Sequence, residues 1–186
     1  ITPGSKDVTL LVSYRGCTTS STQNIAINPT PVVSVSGDVE FCEGDGGVQI
    51  QATASGGTAP LFYSWTCDDP LNCGLSSTSV EDPFANPDVD LTGKDADSVR
   101  YCLTVTDVNG CASDEVCIWV IVKAKPKMDA GPDVFICTDG PGEFLLGGLA
   151  ADNSAPEPVM YQWSPATGLN TPRLANPFAR PTATPI

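Results

Sequence analysis

The chain has 186 residues and no histidine, and its 9 Lys and Arg against 22 Asp and Glu give a net charge of −13. An acid excess of that size repels phosphate backbones and anionic lipid surfaces, which argues against nucleic acid as a partner. Gly and Pro at 17 each beside 41% apolar residues describe a turn-rich globular chain, long enough for two small domains, rather than a disordered one.

No apolar run is long enough to cross a bilayer, so the protein is not expected to be membrane-embedded. No positively charged, apolar leader is visible at Ile1, and the chain reads as a processed product or a slice of something longer. Eight cysteines without histidine match none of the usual zinc spacings. They indicate disulfides, and therefore an oxidising, extracellular setting. Nothing suggests an enzyme: there is no histidine base, no Gly-rich phosphate loop opening a helix, and no Ser or Cys in a nucleophile setting. Asp68 and Asp69, adjacent on a loop, read as solvated charge rather than an acid and base pair.

In chain order, the first predicted strand lies in VTLLVSYRGC at 8–17, where Val8, Leu10 and Val12 alternate before a Gly turn and Cys17. DVEFCEGDGGVQI at 38–50 follows, with Val48, Ile50 and Ala52 as one period-2 run. Leu61, Tyr63 and Trp65 make the next, placing Trp65 in the core, and Trp163 after Tyr161 repeats that pattern. CDDPLNC at 67–73 is a short loop that a Cys67–Cys73 disulfide would stiffen. In DVDLTGKDAD at 88–97, Asp88, Asp90 and Thr92 are weak candidates for a calcium site, with Gly93 at the turn; Val99 stands where a bidentate Glu belongs, and an acidic turn is the competing reading.

YCLTVTDVNGC at 101–111 leads into the last strand, Val116, Ile118, Val120 and Val122. That alternation turns Trp119 and Ile121 outward, as an interaction surface or as tolerated exposure. A two-residue turn at Asn109 and Gly110 sets Cys102 opposite Cys117 on the face away from Tyr101 and Leu103. Such a turn makes them a hydrogen-bonded pair with a Cα spacing near ~5.5 Å, within disulfide range. The basic run Lys123, Lys125 and Lys127 reads as a solvated linker.

Self-comparison organises these pieces. DVEFCEGDGGVQI matches DVFICTDGPGEFL at 133–145, YSW at 63–65 matches YQW at 161–163, and DPFANP at 82–87 matches NPFARP at 176–181. VTLLVSYRGC matches the segment around Tyr101, Leu103, Val105 and Cys111. The fold class is therefore all-β, as tandem immunoglobulin-like sandwiches. Residues 1–30 hold the last strands (F–G) of a preceding repeat, 31–126 one whole repeat, and 127–186 strands A to E of a following repeat that an adjacent unit completes. The completing strands come either from the next covalent segment of a longer array or from a separate subunit donating them head to tail.

The stretches GGTAPLFYSW, YCLTVTDVNGC, DAGPDVFIC, YQWSPATGL and NPFARPTAT resemble the PKD-like and immunoglobulin-like repeats of very large cell-surface adhesins and appendage proteins of gliding and predatory Bacteroidetes. The resemblance implies export by the type IX route, adjacent copies or repeats as partners in long threads, and attachment to surfaces or cells. It also implies pairing of the repeat cysteines, Cys42 with Cys111 in the whole repeat, and Cys17 with Cys137 between adjacent units. A second reading is a carbohydrate- or protein-binding module, with glycans or proteins of target cells meeting loop 67–73 and Trp119.

Overall fold

A computed structural model describes residues 2–135, 142–147 and 159–180, and every regular element among them is a β-strand. The chain divides into two compact units, Ile1–Lys123 and Ala124–Ile186. Unit 1 opens with a hairpin, β1 (Gly4–Tyr14) and β2 (Cys17–Ile27), whose strands pair with each other and, among the described residues, with no other strand.

The sandwich follows. Its larger sheet holds β4 (Val39–Cys42), β10 (Val116–Lys123), β9 (Ala96–Asp107) and β7 (Leu61–Cys67), in that order across the sheet. On the other side β3 (Pro31–Val35) pairs with β6 (Ala52–Gly56), and β5 (Val48–Gln49) pairs with β8 (Phe84–Ala85). The expected run through Val48, Ile50 and Ala52 is thus one strand interrupted at Ile50 and Gln51. Hydrogen bonds from Ser36 N to Gln51 O (2.8 Å) and from Ile50 N to Pro83 O (3.0 Å) carry the pairing across the break.

Period-2 patterning explains which face is filled. Val99, Tyr101, Leu103 and Val105 of β9 and Ile118, Val120 and Val122 of β10 are all buried, while the residues between them face out. They pack with Val33, Ile50, Ala52 and Ala85 of the other sheet and with Trp65, which is 2% exposed. Each fully buried Leu, Ile or Val contributes about 1.5–3 kcal/mol relative to exposure. Gly74 lies where only glycine fits: its φ is +58°, and a Cβ would sit 2.0 Å from the Asn86 carbonyl oxygen that faces it.

The hairpin joining β9 to β10 departs from the expected two-residue turn. Asp107 N donates to Cys111 O (3.0 Å), so the loop is the three residues Val108, Asn109 and Gly110, with Gly110 at φ 81°. Thr106 then bridges Ala112, whereas Leu103 pairs with Val116, so one extra residue is absorbed in 113–115 as a bulge. The bulge restores the register and sets Cys102 opposite Cys117 with Cα atoms 4.1 Å apart, in the narrow, non-hydrogen-bonded class rather than the wide one.

Asp107 is the one buried charged residue among those described. Its carboxylate accepts from Thr58 N (2.9 Å), Asn109 N (2.9 Å) and Cys111 N (2.8 Å), tying the turn before β7 to the tip of the β9–β10 hairpin. Burial pushes its carboxyl up, but these hydrogen bonds outweigh burial and hold it below the ordinary Asp value. A lowered folded value means the contribution is present above the ordinary value of about 4 and is lost as pH falls through the folded one. Denaturant midpoints measured from neutral pH to below ~3 should therefore fall, and Asp107→Asn should lower the neutral-pH midpoint while flattening that fall. In the core, Leu103→Ala should cost about 2–5 kcal/mol in the same assay, because it leaves a cavity between two ladders.

Candidate assembly surfaces

The β1–β2 hairpin is exposed along nearly its whole length. Arg15 (φ 49°) and Gly16 (φ 81°) form its two-residue turn, and Tyr14 pairs with Cys17 across it. Val8, Leu10 and Val12 stand 49%, 64% and 50% exposed on one face of β1, the positions that Tyr101, Leu103 and Val105 fill in the core from β9. On β2 the sequence departs from β10: Ser21 and Gln23 stand opposite Leu10 and Val8, where Val116 and Ile118 stand opposite Leu103 and Tyr101. Apolar surface is therefore concentrated on β1.

Unit 2, taken by itself, reproduces half of the sandwich bond for bond. Strand β11 (Phe144–Leu145) pairs with β12 (Phe178–Ala179) as β5 pairs with β8. Leu169 bridges Ala179 as Leu75 bridges Ala85. Leu146 N donates to Pro177 O (2.9 Å), the counterpart of Ile50 N to Pro83 O. Trp163 donates through N to Pro172 O (2.8 Å) and through Nε1 to Leu174 O (2.9 Å), matching Trp65 N to Thr78 O (2.8 Å) and Trp65 Nε1 to Val80 O (2.9 Å).

The likeness stops at the larger sheet. Tyr63 and Trp65 lie on β7, held by its ladder to β9, but the matching residues 159–163 form no strand among the described residues. Trp65 is buried, whereas Trp163 is only half-buried and borders an open cleft of about 200 Å³ with Leu146, Leu169 and Ala179. Among the described residues of unit 2, no strand stands where β9 and β10 stand in unit 1.

The cysteines fall into two groups. Disulfides join Cys67 to Cys73, across a loop that the Tyr101 hydroxyl also holds by donating to Cys73 O, and Cys102 to Cys117 on the outer face of the larger sheet. Burial first, with the Asp68 and Asp69 carboxylates adding to it, pushes that hydroxyl well above the usual tyrosine range and keeps it a donor. Cys17, Cys42 and Cys111 are free thiols. The pairing of Cys42 with Cys111 expected from the resemblance is corrected by register. Cys42 pairs with Lys123, the last residue of β10, while Cys111 lies in the turn before the first. Strand β10 between them runs eight residues, roughly 23 Å at ~3.3 Å per step, against the ~4.4–6.8 Å that a disulfide spans. The expected Cys17–Cys137 pair falls on Cys137, outside the described residues.

Both remaining surfaces lie on unit 1. Trp119 is 41% exposed on the outer face, opposite Arg100 and flanked by the half-buried Ile121 and Cys117, and its backbone N donates to Asp38 Oδ1 (2.9 Å). A cleft of about 490 Å³ collects Asp68, Asp69, Asp88, Asp90 and Asp97. Most of these carboxylates already cap backbone: Asp68 accepts from Arg100 N, Asp69 from Leu71 N, Asp90 from Thr92 N (2.9 Å) and Asp97 from Ser98 N. Asp90 is held below the ordinary Asp value by the Thr92 hydroxyl and backbone. Among the described residues the cluster of Cys, Asp and Glu side chains with metal-binding geometry is Cys102, Glu115 and Cys117, whose thiols are already in a disulfide.

Sequence reasoning missed Asp107 and the opposed positions of Cys42 and Cys111. The signal for the first was available in TDVNG, an Asp set to accept from the backbone of an Asn-Gly turn.

No protein-family model matches the chain, and no curated protein does. Among solved structures, it is similar to fibronectin(III)-like modules of Clostridium thermocellum CbhA, at 14% identity and TM-score 0.37 over 67% of this chain and 65% of that one. It is also similar to the PKD domain of human KIAA0319, at 15% identity and TM-score 0.37 over 58% of this chain and 91% of that one. A third similar structure is the cis-dimer of protocadherin gammaB7 EC3-6, at 17% identity and TM-score 0.38 over 98% of this chain and 52% of that one. The chain thus spans just under two thirds of the first of these structures and about half of the third.

Proposed function

We propose that the chain is a structural repeat of an extracellular filament or adhesin, in which β1 and β2 of one unit complete the half-sandwich of an adjoining one. The observation that carries this is the complementary pair of defects. Residues 159–163 lack the ladder that holds their counterparts in β7, and β1–β2 is a hairpin with the apolar pattern of β9 and no sheet to join. An antiparallel hairpin docked beside residues 159–163 would give that segment a ladder partner and cover Trp163.

Energetics favour the docking. Val8, Leu10 and Val12 are about half exposed, so completing their burial contributes roughly 2–5 kcal/mol before backbone pairing is added. Repetition then follows from geometry, because the donor and acceptor surfaces differ and the contact does not close on itself. Two disulfides in unit 1 suit an oxidising exterior and a rod that resists unravelling. Attachment to surfaces or other cells is the use such a thread serves.

One observation supports a second reading, a module that binds glycan or protein: Trp119 is held outward beside Arg100 by a rigid, disulfide-clamped sheet. Binding of the full chain to a glycan array, lost in Trp119→Ser with the unfolding midpoint unchanged, would establish that reading.

The assembly is tested by sedimentation of the full chain. Wild type should form oligomers whose size grows with concentration. Leu10→Asp with Val12→Asp should abolish them and leave the unfolding of the sandwich unchanged, since both side chains are exposed on the free hairpin. Growth that persists in the double variant would overturn strand donation.

A further inference from the structure

We infer that the row Asp38, Trp119, Arg100 and Asp68, on the outer face of the larger sheet, binds a neutral pyranose ring of a glycan. The inference deepens the second reading above, rests on it, and does not need strand donation.

The ladder builds this row. Trp119 stands opposite Arg100, two steps along from Cys117 opposite Cys102. Antiparallel pairs alternate between narrow and wide, so two steps return to the narrow class of the disulfide, with a Cα spacing near ~4.5 Å. In a narrow pair both backbone N–H groups point away from the partner strand. Trp119 N accordingly donates to Asp38 Oδ1 and Arg100 N to Asp68 Oδ1, each at 2.9 Å. Asp38 directly precedes β4 and Asp68 directly follows β7, so a carboxylate closes the row at each end. The Cys102–Cys117 disulfide, on the same face, holds the two central strands in register, which leaves little order to be imposed on binding.

Both central side chains keep their polar groups open. Trp65 and Trp163 each donate Nε1–H to a carbonyl oxygen, whereas Trp119 Nε1 donates to no group among the described residues. The Arg100 guanidinium likewise meets no carboxylate or aromatic ring among them, and both side chains are exposed. The equivalent row of the β1–β2 hairpin is closed on itself. Asp7 and Asn24 there take the positions of Arg100 and Trp119, and Asn24 Nδ2 donates to Asp7 Oδ1 (2.6 Å). That self-satisfied pair is all that a solvated sheet face requires. Unit 1 carries an aromatic face and an unpaired cation in its place.

Chemistry selects the ligand. The indole face takes a flat apolar partner, which the C–H face of a pyranose ring supplies, while the indole N–H stays available to a polar group. Hydroxyls at the rim of the ring both donate and accept, matching carboxylate acceptors at the ends of the row and guanidinium donors within it. Net charge of either sign is disfavoured: a cation over Trp119 would stand against Arg100, and an anion at Arg100 would stand between Asp38 and Asp68. Asp68, with Ser98 two residues before Arg100, also lines the cleft of about 490 Å³, whose further carboxylates repel an acidic glycan and leave room for a neutral one to continue.

The test is an array of neutral hexose oligomers beside sialylated and uronate-bearing ones, probed with the full chain and followed by titration of the bound glycans at low and high salt. Neutral oligomers should bind with an affinity that salt leaves unchanged, since they carry no charge to screen. Arg100→Ala should weaken binding about tenfold, Trp119→Ser should abolish it, and Trp119→Phe should keep most of it, each with the unfolding midpoint of wild type. Binding confined to acidic glycans and lost in Trp119→Ser would overturn the neutral class and leave the second reading standing. Loss in Trp119→Ser without any change in Arg100→Ala would overturn the row and leave Trp119 alone as the contact. Neutral binding that survives Trp119→Ser, or an array that captures nothing, would overturn both this inference and the glycan reading on which it rests.

Discussion

The ladder that β9 makes with β7 on one side and β10 on the other is the constraint on which the molecule depends. It carries Val99, Tyr101, Leu103 and Val105 into the core, and Asp107 at its end locks the turn before β7. Unit 2 shows what remains when the described residues offer no such strand. The short β11–β12 pairing and the Trp163 hydrogen bonds survive, because they belong to the other sheet and its loop, but residues 159–163 are no longer a strand. A strand of this kind is a property of its neighbours more than of its own residues. Tyr161 and Trp163 have the same alternation as Tyr63 and Trp65, and only one of the two pairs is laddered.

That dependence explains which parts of the fold were legible in the sequence. Inward alternation in β9 and β10 is strong because both strands sit in the larger sheet over a filled core, and period-2 patterning reports burial directly. The cross-strand position of Cys102 and Cys117 was also within reach, since register follows from the turn. Its details were not: a three-residue loop and a compensating bulge give the same Cys102–Cys117 pairing as a two-residue turn, and the Asp107 N to Cys111 O bond, the Thr106–Ala112 bridge and the Cα spacing of 4.1 Å distinguish them. Sequence spacing cannot show a bulge that cancels its own offset.

The Cys42–Cys111 pairing was misread for a different reason. Two cysteines per repeat suggest a bond within the repeat, but which end of the sandwich each one occupies depends on β4 running parallel to β10. That parallel crossing puts Cys42 at the finish of β10 and leaves Cys111 ahead of its start. Had β4 run antiparallel to β10, Val39 rather than Cys42 would have stood beside Lys123. Strand direction in a sheet is set by chain connection over a distance, so local patterning at DVEFC carries no trace of it.

Burial, reinforced by the adjacent Asp107 carboxylate, pushes the Cys111 thiol up and disfavours the thiolate that would attack a disulfide. On the free hairpin, Tyr14 occupies the place of Asp107 before the turn, so the tip cysteine there has no carboxylate accepting from its backbone.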